Sequence, residues 1–153
     1  MRISDYIRND LIYLDVEAGD KEEAIRKTVN LMKRTVTLSN AAKFLQEINQ
    51  RESLGSTAIG RGVALPHART QHVEQIIIAM TRLKEGVDFG AEDGKPVELI
   101  FTLGTPLKTV SEYLKVLANL SKLLRSDKIR KKLLKADTPL QVRQILESAD
   151  HES

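Results

Sequence analysis

Arg51, Glu52, Ser56, Thr57 and His67 fall in one run, RESLGSTAIGRGVALPHAR, with glycines at 55, 60 and 62 and further arginines at 61 and 69. The histidine is the residue in that run with chemistry of its own. A neutral imidazole is a competent nucleophile, and an unperturbed pKa of about 6.5 leaves it mostly neutral near pH 7. If it attacks phosphorus, the product is a phosphohistidine with roughly two negative charges. Such a group needs hydrogen-bond donors and a cation. Arg51, Arg69, the hydroxyls of Ser56 and Thr57, and backbone N–H groups at Gly55, Gly60 and Gly62 are of the right type. Pro66 fixes its own φ and restricts Leu65, so a short strand through VALP delivers His67 on a stiff mount.

Two other readings of the run compete. GSTAIGRG nearly spells a P-loop, with Gly55 and Gly60 in place. Arg61 then stands where lysine belongs, and Gly62 where a Ser or Thr would hold magnesium. A P-loop also joins a strand to a following helix, whereas here a helix precedes the loop and a β-prone segment follows. The plainer alternative is that the glycines only make turns.

The elements around the run alternate. LIYLDVE, from Leu11 to Glu17, reads as a strand. Asp20 opens a helix with Glu23 in capping-box spacing, and Ile25, Thr28, Val29 and Met32 share one face of it. A second helix spans about Ser39 to Arg51, with Ala41, Phe44, Leu45 and Ile48 on one face. Ile76 to Leu83 and Val97 to about Leu103 are strands, separated by the turn-rich GVDFGAEDGKP. A long helix starts near Thr109, with Glu112 at the capping-box position, and ends near Arg125. Ser126 caps a shorter helix, and Thr138, Pro139 and Gln141 open the last one. The pattern predicts a single α/β domain over residues 1–153, with a core of about 2–148 and a mixed sheet flanked by helices on both faces.

The 153 residues suffice for one buried core. There is no cysteine, which excludes disulfides, thiolate metal sites and a cysteine nucleophile. His72 and His151 have no metal-ligand spacing and read as surface residues, so no metal or cofactor is expected. The N-terminus is broken by charges and no apolar run is long enough to span a bilayer, which points to a cytoplasmic chain without membrane insertion. The net charge is +3 and aromatics make up 4% of the chain. In KIRKKLLK, Lys128 to Lys135, the charges interleave with Ile129, Leu133 and Leu134, so it reads as a helix with a wet face rather than a nucleic-acid arm.

The run from Arg51 to Arg69 resembles the active-site segment of the fructose/mannitol-type enzyme IIA domains of the bacterial phosphotransferase system, nearest the nitrogen-regulatory IIA branch. The Arg-Glu, Gly-Ser-Thr, Gly, Gly and Pro-His spacing carries the likeness, which extends over nearly the whole chain. It implies that His67 accepts a phosphoryl group from a phosphorylated HPr-type carrier. It also implies that Arg51 stabilises the phosphate and that the loop forms its pocket, with a IIB domain or a regulatory target downstream. The protein would then be a phosphohistidine carrier rather than a stand-alone enzyme. The alternative is a regulatory binding module of the same fold that acts whatever its phosphorylation state. With no sugar-binding or membrane domain in this sequence, regulation is favoured over transport.

The sequence departs from that family in one place. Members often carry a second histidine early in the long helix, where SEYLKVLANLSKLL has Tyr113. Tyrosine offers a hydroxyl but no cationic ring. Two readings of Tyr113 stand: a core aromatic on an amphipathic helix, or a pocket residue beside Arg69. The exchange bears on how fast phosphate is received or passed on.

Overall fold

The computed structural model describes residues 2–35 and 38–152. After two 3₁₀ turns, Ile3–Tyr6 and Asn9–Leu11, the chain forms β1 (Ile12–Val16), α1 (Lys21–Thr35) and α2 (Ala41–Ser53). Three short strands follow, β2 (Ala58–Gly60), β3 (Val63–Ala64) and β4 (His67–Thr70). Two long ones come next, β5 (Ile77–Val87) and β6 (Val97–Pro106), and then α3 (Val110–Leu124), α4 (Asp127–Lys135) and α5 (Pro139–Glu152).

The sheet order is β1-β5-β6-β3-β2, with β4 also paired to β6. Antiparallel β5 and β6 form its spine, and β1, β3 and β4 join it in parallel. Residues 78–83 of β5 are all buried, as expected for a strand covered on both faces. Two neighbours on that strand show the covering. The Thr81 hydroxyl bonds Thr28 of α1 at 2.9 Å. Arg82, pointing the other way, donates to the carbonyls of Leu133 and Ala136 at the end of α4. The expected mixed sheet between helices is therefore present, with five α-helices among the described residues.

Several local expectations hold. Asp20 caps α1 by accepting from Glu23 N–H, and Glu23 reaches back to accept from Gly19 N–H, one residue before the cap. Ser126 caps α4, and Thr138 accepts from Gln141 N–H at the start of α5. Others shift. The cap of α2 is Asn40, whose side chain accepts from Lys43 N–H, while Ser39 bonds His72 instead. Thr109 makes no cap bond to α3, and Glu112 accepts from the Tyr6 hydroxyl at 2.9 Å. Strand β5 runs on to Val87 because Val87 pairs with Val97 beyond a register shift. Strand β6 runs on to Pro106 because β4 pairs with its last residues. In α4 one expected wet-face cation, Arg130, is buried, with its guanidinium on the Leu124 carbonyl and Asp127. No helix is long and apolar enough to cross a membrane among the described residues.

Candidate functional site

Strand β6 is the mount for His67. Val63 and Ala64 pair with Leu99 and Ile100, and His67 and Ala68 with Leu103 and Gly104, so the same register runs across Pro66. The proline interrupts the ladder without shifting it, because it has no N–H to give. Its carbonyl still accepts from Leu103 N–H at 2.9 Å, while Leu65 N–H turns away to the Thr57 carbonyl at 3.0 Å. The expected short strand thus continues as β4, with His67 as its first residue. Ala68 and Thr70 are buried, and Thr70 bonds Glu47 of α2. His67 and Arg69 point to the opposite face, toward α3.

The ring of His67 is held by its Nδ1, 2.7 Å from the Leu65 carbonyl. A carbonyl only accepts, so the neutral ring carries its proton on Nδ1 and keeps the lone pair on Nε2. Burial pushes the histidine pKa below its ordinary 6.5, with the Leu65 carbonyl acting against that shift. Among nearby charges, Arg51 lowers the pKa further and Glu52 raises it. The net effect favours the neutral, nucleophilic ring.

His67 lines a cavity of about 360 Å³ together with Arg51, Ser56, Thr57, Leu65 and Leu117. Arg51 lies on the last turn of α2 and donates through Nη1 to the Gly55 carbonyl at 2.9 Å. Tyr113 of α3 faces the histidine, with ring centroids 5.8 Å apart and planes tilted by 50°. Burial raises the tyrosine pKa above its ordinary 10, against the pull of Arg51 and Arg69, so its hydroxyl is neutral at pH 7. Arg69 donates to the Leu107 carbonyl at 2.9 Å at the head of α3. Tyr113 is thus a partly buried aromatic that also adjoins the pocket.

The hydroxyls expected to serve the phosphate are committed elsewhere. Ser56 Oγ donates to the Phe89 carbonyl at 2.5 Å, and Thr57 gives both its hydroxyl proton and its N–H to the Glu52 carboxylate. Gly60 and Gly62 are not among the residues lining the cavity of His67. They shape the β2–β3 hairpin, with φ of 88° and 83°, around Arg61 at φ 59°. Gly55 does not line the cavity of His67 either; it and Gly60 line a different cavity of about 670 Å³, with Arg61 and Asp93. A helix precedes this loop and strands follow it, the reverse of a P-loop. His72 pairs with Ser39 at 3.0 Å, away from the site. No group of three or more metal-ligating side chains occurs among the described residues. Glu52, named in the run but given no role by the sequence, is tied to Lys21 at 2.7 Å.

Residues 5–149 match the family described as "Phosphoenolpyruvate-dependent sugar phosphotransferase system, EIIA 2". The chain belongs to that family. It is 36% identical over 138 residues to the fructose-specific EIIABC component of Bacillus subtilis. That alignment takes in 90% of this chain but 22% of the larger protein, so it concerns one segment of it. Identity to a nitrogen regulatory protein of Bradyrhizobium diazoefficiens is 35%, over 87% of this chain and 86% of that protein. The crystal structure of nitrogen regulatory protein IIA-Ntr from Neisseria meningitidis superposes with a TM-score of 0.88. It shares 38% identity and covers 94% of this chain and 98% of the other. The EIIA domain described here therefore has a phosphocarrier or regulatory role in the phosphotransferase system.

Proposed function

We propose that His67 Nε2 is the phosphoryl acceptor and that a phosphorylated HPr-type carrier is the donor. The observation behind this is the bond from Nδ1 to the Leu65 carbonyl, which leaves Nε2 as the nucleophilic nitrogen in a cavity shared with Arg51. The Nε2 lone pair attacks phosphorus, and the N–P bond of the donor breaks. The electron pair returns to the donor's ring, so no proton need move at Nδ1. The Leu65 carbonyl then faces a more cationic ring and strengthens its bond. Arg51 sits where a guanidinium can take up charge on the phosphoryl oxygens, in a transition state governed by positioning and electrostatics. Phosphate passes onward to a IIB-type domain, or remains as a regulatory mark. The likeness to nitrogen regulatory proteins supports the second output.

Exposed apolar side chains rim the site. Leu54 is 85% exposed beside the Arg51 turn, and Leu107 and Leu114 flank Arg69 and Tyr113. A protein docked over them would exclude water from the transfer. The same rim favours a second reading, a binding module that acts whatever its phosphorylation state. One experiment tests the acceptor role on which the first reading depends. Incubation with enzyme I, an HPr-type carrier and phosphoenolpyruvate, followed by intact mass, should show an acid-labile, base-stable gain of one phosphate. His67→Ala should abolish that gain and leave the circular dichroism spectrum unchanged. Uptake of phosphate by the variant, at His72 for example, would remove His67 from this role.

A further inference from the structure

The buried Glu52 is held in a chain of contacts that ends at the histidine. It is 7% exposed, and its carboxylate takes three donors. Lys21 of α1 approaches at 2.7 Å, Thr57 N–H donates at 3.3 Å, and the Thr57 hydroxyl donates to the other oxygen. The Thr57 carbonyl in turn accepts Leu65 N–H at 3.0 Å, and the Leu65 carbonyl accepts His67 Nδ1–H at 2.7 Å. The ammonium of Lys21 also stands 5.4 Å from the ring centroid of Phe89, whose carbonyl accepts from Ser56. Each link fixes the next: the carboxylate sets Thr57, Thr57 sets Leu65, and Leu65 sets which ring nitrogen keeps its lone pair. Burying a carboxylate is costly unless it is paired and hydrogen-bonded. A plain brace between α1 and α2 would not need this one to bond the loop that lines the phosphoryl cavity.

We infer that Glu52, with Lys21 as its counter-ion, is a positioning residue for phosphoryl transfer that acts on His67 through Thr57 and Leu65. This rests on the proposed role of His67. The pair sets the tautomer and angle of the ring, and it keeps the Arg51 turn closed. Glu52 and Arg51 are neighbours in sequence with opposite duties: the arginine faces the incoming phosphoryl group, and the glutamate faces inward and fixes the geometry.

The test measures two things on the same proteins: the rate of phosphoryl transfer from a phosphorylated HPr-type carrier, and the tautomer of His67 by ¹⁵N NMR. Wild type should show the Nδ1–H form. Glu52→Gln and Thr57→Val should each mix the two tautomers and slow transfer about tenfold, the scale of a small misplacement of a reacting group. The double variant should be no slower than either single one by more than about twofold, because both break the same link. Lys21→Met should slow transfer, and Lys21→Arg should restore it by keeping the charge on Glu52. If Glu52→Gln does not fold, Thr57→Val and the two Lys21 variants still decide. Lower Tm values with wild-type tautomer and rate would overturn the inference and leave a brace between helices. Tautomer mixing in variants of a protein that takes up no phosphate even as wild type would retain the positioning chain and reject the acceptor role of His67.

Discussion

The turn Arg51–Thr57 and the hairpin Gly60–Gly62 belong to one glycine-rich run, yet they are built in opposite ways. The first is held by side chains. Arg51 clasps the Gly55 carbonyl, and Glu52 clasps the N–H and hydroxyl of Thr57. The second is shaped by backbone conformation and tied to elements outside the run, Arg61 Nη1 reaching the Arg125 carbonyl. Gly60, Arg61 and Gly62 all have positive φ, and the Asp93 carboxylate accepts Arg61 N–H at 2.7 Å. That bond and one from Lys95 N–H hold the Asp93 carboxyl below the usual range. In a sequence both turns look like phosphate-cradling loops. In space the first borders the cavity of His67 and the second belongs to the sheet edge. A glycine reports that the chain must take an unusual conformation. It does not report what the conformation is for.

The contrast predicts that the two turns fail differently. Arg51→Ala should slow phosphoryl transfer about ten- to a hundredfold, the equivalent of about 1.5–3 kcal/mol for a lost charge-assisted bond. Its Tm should barely move, since the bond it gives up to Gly55 is exposed. Arg51→Lys should recover part of the rate, because lysine keeps the charge but not the planar fork. Wild-type kinetics in Arg51→Ala, read by quench-flow, would show that the first turn is no more chemical than the second.

Gly60→Ala should do the reverse. A Cβ there must sit at φ 88° and would lie 3.1 Å from Asp93 Oδ2. The left-handed conformation costs roughly 1–2 kcal/mol for a residue with a Cβ. Tm should therefore fall by roughly 3–6 °C, with the transfer rate unchanged well below the melt. A slowed transfer in folded Gly60→Ala would bring the hairpin back into the site and erase the distinction.

The same contrast explains what could be read beforehand. The long strands announced themselves as apolar runs, and His67 and Arg51 by type and spacing. Strand β4 did not, because His67-Ala68-Arg69-Thr70 looks polar until β6 supplies its pairing. Strand β5 reads as ending at Leu83, with a turn beginning at Gly86, but cross-strand pairing at Val87 carries it further. Hydroxyls at Ser56 and Thr57 were visible, but the destination of their protons was not: one goes to a carbonyl 33 residues away. Lys21 and Glu52 meet only when α1 packs on α2, so no local pattern marks them as partners. Arg130 shares its run with four lysines, and only packing distinguishes it as the one that turns inward to the Leu124 carbonyl.

Tyr113 of α3 stands against His67 apart from both turns and gives the smallest expected effect. Its ring meets that of His67 at 5.8 Å, and its raised pKa keeps the hydroxyl neutral at pH 7. A neutral donor offers about half the strength of a charged one, so this residue contributes shape more than charge. Tyr113→Phe keeps the ring contact and removes one neutral hydrogen bond at most. The change in transfer rate should be about twofold, the low end of such a bond at about 0.5 kcal/mol. Tyr113→His adds a ring that can become cationic beside the phosphoryl group, and exchange with the carrier should speed up. A site slower than it could be suits a domain whose phosphate is read as a signal rather than passed on at high flux. Quench-flow rates for the three proteins decide. A large loss in Tyr113→Phe would make the hydroxyl part of the chemistry, rank this residue with the Arg51 turn, and end the argument that slowness is built in.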